Sequence, residues 1–138
     1  MLVEPFKSVG GLLFDEKRQS VREKINEAFE ARVNEFGGKK EYFDFFPESD
    51  FIVFYNENDR AQAFNFFEQN PVFDGINLLR EPYTKLVKMF SELDTDLLVD
   101  ETSFTSNKYG IGAHCPYKGK DGMSPPESVI IFNHGFYK

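Results

Sequence analysis

Seventeen phenylalanines and six tyrosines, with no tryptophan, are spread through 138 residues, and they fall in patches. Phe43, Phe45 and Phe46 form one, Phe51, Phe54 and Tyr55 a second, Phe64, Phe66 and Phe67 a third, and Phe132, Phe136 and Tyr137 a fourth. Each ring can bury roughly 150–250 Å², so the chain has ample material for a packed core. It also has more rings than one small core hides, which directs attention to a partner surface.

The length suits one domain over 1–138. A 41% hydrophobic and 28% charged composition is that of a globular protein. The lone cysteine, Cys115, has no intramolecular disulfide partner, and that matches a reducing compartment. The opening Met1-Leu2-Val3-Glu4-Pro5-Phe6-Lys7 has no basic start leading into an apolar stretch, and no run approaches the ~18 apolar residues of a membrane helix. These features predict a soluble, cytoplasmic protein. The formal charge of −7 argues against nucleic acid, because phosphates repel such a surface. It favours a basic protein partner, whose encounter complementary charge would speed. Ordinary solubility is the plainer account of the same charge.

Hydrophobic spacing predicts an α+β fold: two amphipathic helices on a mainly antiparallel sheet. The first helix is expected over 16–36, where Val21, Ile25, Ala28, Phe29, Val33 and Phe36 recur at three- and four-residue intervals. Asp15 would be its N-cap and Gly37-Gly38 its left-handed stop. The second is expected over 82–93, with Pro82 in the first turn and Tyr83, Leu86, Val87, Phe90 and Leu93 on one face. Residues 51–55 and 61–67 read as a hairpin joined by a polar turn, and 129–132 as a short β-branched strand. Weaker strands are expected at 97–99 and 109–114, with a proline-containing loop over 116–126.

A repeat is also suggested. Gly11-Leu12-Leu13-Phe14 precedes the first helix, and Gly75-Ile76-Asn77-Leu78-Leu79 precedes the second, 64 positions later. Two similar halves, 1–70 and 71–138, would then share one sheet. The segments Ser8-Val9-Gly10-Gly11-Leu12-Leu13-Phe14, Ser20-Val21-Arg22, Phe73-Asp74-Gly75-Ile76-Asn77-Leu78 and Ile131-Phe132-Asn133-His134-Gly135-Phe136-Tyr137 resemble those of small bacterial two-half α+β proteins. Some of these are inhibitors or immunity proteins encoded beside toxins. Such families usually carry glycine after the phenylalanine, where this chain has Asp15. The resemblance carries no functional residue across.

Few constellations carry chemistry. His114, Cys115 and His134 are the only thiol and imidazole groups, and zinc wants three or four such ligands. Adjacent His114 and Cys115 would point to opposite faces of a strand. Cys115, His134 and Asp121 can be drawn as a nucleophilic triad, yet Pro116 follows the cysteine and no helix N-terminus lies behind it to stabilise a thiolate. Asp94-x-Asp96 lacks the glycine and terminal glutamate of a calcium loop. Gly110-x-Gly112 lacks the rest of a dinucleotide fingerprint and reads as a bulge or close backbone approach. No cofactor, metal or catalytic set is expected.

The remaining candidate is the stretch from Glu41 to Asp50, read as an acidic loop. Glu41, Asp44, Glu48 and Asp50 would steer a basic partner, and Tyr42, Phe43, Phe45 and Phe46 would anchor it. The expected function is a non-enzymatic protein-binding protein, an immunity-type inhibitor of a basic toxin or effector. The alternatives are a small hydrolase-like enzyme using Cys115 and His134, and a homodimer that buries its spare rings at the two-fold.

Overall fold

The computed structural model describes residues 1–116 and 123–137. The elements run β1 (Val3–Glu4), β2 (Ser8–Val9), β3 (Leu12–Leu13), α1 (Arg18–Ile25), β4 (Glu30–Phe36), β5 (Lys39–Phe46), β6 (Phe51–Tyr55), β7 (Ala61–Phe66), β8 (Val72–Phe73), β9 (Ile76–Asn77), α2 (Tyr83–Leu93), β10 (Leu98–Val99), β11 (Ser103–Ser106), β12 (Ile111–His114) and β13 (Ser128–Phe132). Eight strands form one antiparallel sheet in the order β10-β11-β12-β13-β7-β6-β5-β4. Two small antiparallel sheets, β1-β2-β3 and β8-β9, precede the helices. The fold is thus α+β with a large antiparallel sheet and two helices.

Both helices lie on one face of the sheet, and the main core fills the space between. Cross-strand rows supply it. Phe46, Phe51, Phe66, Val129, Ala113 and Phe104 form one row through the registers of neighbouring strands, and all are buried. Val53, Phe64, Ile131 and Ile111 form the next, with Asp44 at one end and Ser106 at the other. From α2, Tyr83, Leu86 and Phe90 enter this core. The Phe90 ring lies 5.1 Å from Phe104 and 5.6 Å from Phe73.

The expected helix over 16–36 is two elements. It stops after Ile25 because Asn26 turns left-handed, at φ 52°, and its N–H donates to the Arg22 carbonyl. From Glu30 the chain is a strand. Gly37 and Gly38, both at positive φ (53° and 84°), form the two-residue turn that pairs Phe36 with Lys39, as hairpin turns of this length require. Asp15 does not cap α1. It occupies a left-handed turn at φ 67° and its N–H donates to the Ala61 carbonyl, while Lys17 stands at the cap position without a side-chain bond. Of the apolar stripe read from the sequence, Val21 is buried, whereas Phe29, Val33 and Phe36 are exposed.

The expected loop from Glu41 to Asp50 is mostly β5, with only residues 47–50 in a turn. The hairpin at 51–67, the helix at 82–93 and the strand at 129–132 stand where the spacing put them. The proline-containing loop and Asp121 lie partly or wholly outside the described residues.

Candidate functional site

Alternation along β5 sorts the candidate residues onto two faces. Asp44 and Phe46 face the helices, whereas Phe43 and Phe45 face away, in register with Phe54 and Ile52 of β6. Asp44 is fully buried, so it does not steer a partner. Its two oxygens accept from Arg22 Nε at 2.7 Å and Arg22 Nη2 at 2.8 Å, and the Tyr55 hydroxyl donates to it at 2.8 Å. The Arg22 guanidinium also lies 4.2 Å from the Phe29 ring. Burial, and then the adjacent Asp44 carboxylate, push the Tyr55 phenol far above its ordinary value of 10.0. The Asp44 hydrogen bonds raise Arg22 above its already high value. A buried carboxylate that receives three charge-assisted or hydroxyl bonds fixes structure.

Two of the expected ring anchors are also internal. Phe46 is buried between Phe51 at 5.0 Å and Phe29 at 6.0 Å. Phe43 is buried on the other face, 5.5 Å from Phe54. That leaves Glu41, Tyr42, Phe45, Glu48 and Asp50 with exposed or half-buried side chains. Phe45 carries the Arg32 guanidinium 5.1 Å from its ring. Asp50, at φ 54°, serves the turn into β6.

The sheet face turned away from the helices bears half-buried Phe45, Ile52, Phe54 and Ile130. Residues 133–137 fold back over part of it. Phe136 lies 5.7 Å from Phe54 and 6.2 Å from Phe132, and Tyr137 lies 4.9 Å from Phe132. A cross-strand row of Phe43, Phe54, Ala63 and Phe132 runs beneath, and the small Ala63 is fully buried. Between these last residues and the projecting β4–β5 hairpin is a cleft of about 870 Å³, lined among others by Phe36, Glu41, Tyr42, Phe136 and Tyr137. The sequence reading missed the contribution of Phe36, Phe136 and Tyr137. For the last two, the clustering of Phe132, Phe136 and Tyr137 was the available signal.

The histidine and thiol constellation does not assemble. Cys115 is buried just past β12, its thiol donating to the Pro125 carbonyl at 3.6 Å. His114 pairs in register with Ser128, while His134 lies six residues further along, stacked on Phe6 with ring centroids 3.7 Å apart. From the position paired with His114 the strand runs four residues to Phe132, about 13 Å at ~3.3 Å per residue, before the chain turns at His134. Among the described residues no group of three His, Cys, Asp or Glu side chains could hold a metal ion. Asp94 is likewise committed internally: its carboxylate accepts from Ser106 Oγ at 2.8 Å and the Asp96 N–H at 3.0 Å. Gly110 is a site of close approach, since a Cβ there would stand 2.3 Å from the Phe132 carbonyl oxygen at φ 67°.

Among the described residues no helix is long and apolar enough to cross a membrane. No family model matches the sequence, and no curated protein matches it. Among solved structures, the uncharacterized protein yfeY from Escherichia coli is similar, with a TM-score of 0.53 at 10% identity over 93% of this chain and 97% of that one. At that identity the likeness is one of fold alone.

Proposed function

We propose that this is a non-enzymatic, cytoplasmic protein-binding protein, an immunity-type inhibitor that covers a basic toxin or effector. The observation that carries this reading is the sheet face left without a helix, where Phe45, Ile52, Phe54 and Ile130 stay half-exposed. Glu41 lies on the same face of β5, and Glu48 in the turn that follows the strand. Partly solvated rings beside carboxylates suit a protein surface of opposite charge. The strand order, which mirrors itself about the β7–β13 pair with a helix and four strands on each side, supports an origin in two duplicated halves.

The test is association with the basic, toxin-like product of an adjacent gene, followed by surface plasmon resonance. Glu41→Lys with Glu48→Lys should slow association at low salt, and added salt should shrink the difference. Phe45→Ala should speed dissociation. If the parent protein fails to bind such a product, or charge reversal leaves association unchanged, the reading falls.

One observation favours a homodimer as a second reading. β4 is an outer strand with all seven residues exposed and an unbroken register to its single neighbour, so its outer backbone groups are available to a second copy. Sedimentation velocity over a range of concentrations decides between monomer and dimer.

A further inference from the structure

We propose that the cleft between the β4–β5 hairpin and residues 133–137 binds an organic cation, the guanidinium or ammonium head of a basic side chain. Its rings are Phe36 from the hairpin and Phe136 and Tyr137 from the chain's end, while the Tyr42 ring turns to the helix side of β5 beside Arg18. Phe136 and Tyr137 meet edge to face at 4.8 Å. Phe36 and Tyr137 are each more than half exposed, an arrangement that leaves ring faces open rather than packed away. An aromatic face attracts a cation through its quadrupole, more strongly where water is partly excluded.

The charges of the cleft are unequal in position. Lys39, Lys40 and Glu57 are exposed at its rim, whereas Glu41 is half-buried in its wall. Glu41 shares the outer face of β5 with Phe43, whose cross-strand partner Phe54 packs 5.7 Å from Phe136, and it lines the same cleft as Tyr137; the Tyr137 phenol is pushed up by burial and then by that carboxylate. A half-buried carboxylate keeps its field, while rim charges are screened by water and salt. The one half-buried charge in the described wall is therefore negative. The chain already shows the same chemistry on its other side, where the Arg18 guanidinium sits 4.4 Å from the Tyr55 ring and 5.9 Å from the Tyr42 ring. The volume, about 870 Å³, accommodates a long basic side chain and part of its backbone.

This deepens the binding reading and rests on it only for the source of the cation, a basic protein. It can be tested without any protein partner. N-acetyl-arginine amide is titrated into the protein while the aromatic NMR signals of Phe36, Phe136 and Tyr137 are followed, with N-acetyl-alanine amide and acetate as comparison probes. The expected result is a saturable shift of those rings with the arginine derivative alone. Glu41→Gln should weaken it about tenfold, and Tyr137→Leu should weaken it too, whereas Glu48→Gln should leave it unchanged. A larger response to acetate would mean that Lys39 and Lys40 set the sign, and would overturn the proposal. So would the absence of saturation, or an unchanged affinity in the Glu41→Gln variant. Failure to find a protein partner would remove the inhibitor reading and leave this measurement intact.

Discussion

Asp44 on β5 and Ser106 on β11 stand at opposite ends of one cross-strand row, and each connects its half of the sheet to its helix by a different chemistry. In the first half, α1 is eight residues long and contributes a single fully buried side chain, Val21. Its attachment relies on Arg22, which reaches down to the buried Asp44 and the Tyr55 hydroxyl. In the second half, α2 buries Tyr83, Leu86 and Phe90, and the polar links gather at the helix's end, where Ser106 Oγ donates to Asp94 and Lys108 Nζ and the Tyr109 hydroxyl donate to the Leu93 carbonyl. A helix poor in apolar residues is held by a directional ionic network, and one rich in them by area. The first arrangement fixes register and orientation; the second supplies more transfer free energy.

The contrast can be broken most sharply at its strongest points. Asp44→Ala leaves the Arg22 charge and the Tyr55 hydroxyl without their partner, so it should cost about 3–5 kcal/mol in urea unfolding. Phe90→Ala should cost a similar ~3–5 kcal/mol by opening a cavity. The two differ in rescue. Replacing Arg22 and Asp44 together with leucine should recover much of the Asp44→Ala loss, because apolar packing then substitutes for the ion pair. If the double variant is as unstable as Asp44→Ala, the network contributes something packing cannot. Ser106→Ala should cost less, about 1–2 kcal/mol, since Asp94 keeps the Asp96 N–H.

Alkaline pH probes the same difference. A tyrosine whose folded pKa is raised favours the neutral form, so its contribution is complete below the unfolded value near 10.0 and declines as pH rises beyond it. For Tyr83, pushed up to about 12 chiefly by burial, the decline should level off near that pH. For Tyr55, raised further, it should continue. Urea midpoints measured from pH 9 upward should therefore fall more steeply in the parent than in Tyr55→Phe; equal slopes would show that Tyr55 does not carry the alkaline loss. The smallest effect is expected at Phe29→Ala, about 1 kcal/mol or less, because the ring is 40% exposed.

Legibility in the sequence followed the chemistry of each half. The second helix was readable because its apolar residues face one core and recur with one period. The 16–36 stretch was not, since Phe29 and Val33 satisfy a helical spacing and an alternating one at once. Gly37-Gly38 serves equally as a helix stop or a hairpin turn, and Asn26, the true stop, is a single polar residue among many. β5 was hidden by Asp44: a carboxylate at a core position disguises an alternating strand as an acidic loop, and its partner Arg22 lies 22 residues away. β11 was hidden by its serines and threonine around one buried phenylalanine. Of the binding candidates, Glu41 and Tyr42 were visible from local composition. The facing rings of Phe136 and Tyr137 depend on the chain's end folding back across the sheet, and no local pattern encodes that.

The sheet's two borders are unequal in a way that limits assembly. β10 is two residues long, flanked by Asp96, Asp100 and Glu101, and charge and brevity make it a poor template for another strand. β4 offers seven residues. A layer that can be extended from both sides grows without limit into a fibre, whereas one with a single receptive side is used up by the first strand it accepts. Growth through the long border would therefore terminate at one addition, and a chain so rich in phenylalanine is guarded against polymerisation by the three acidic residues around the shortest strand of its main sheet.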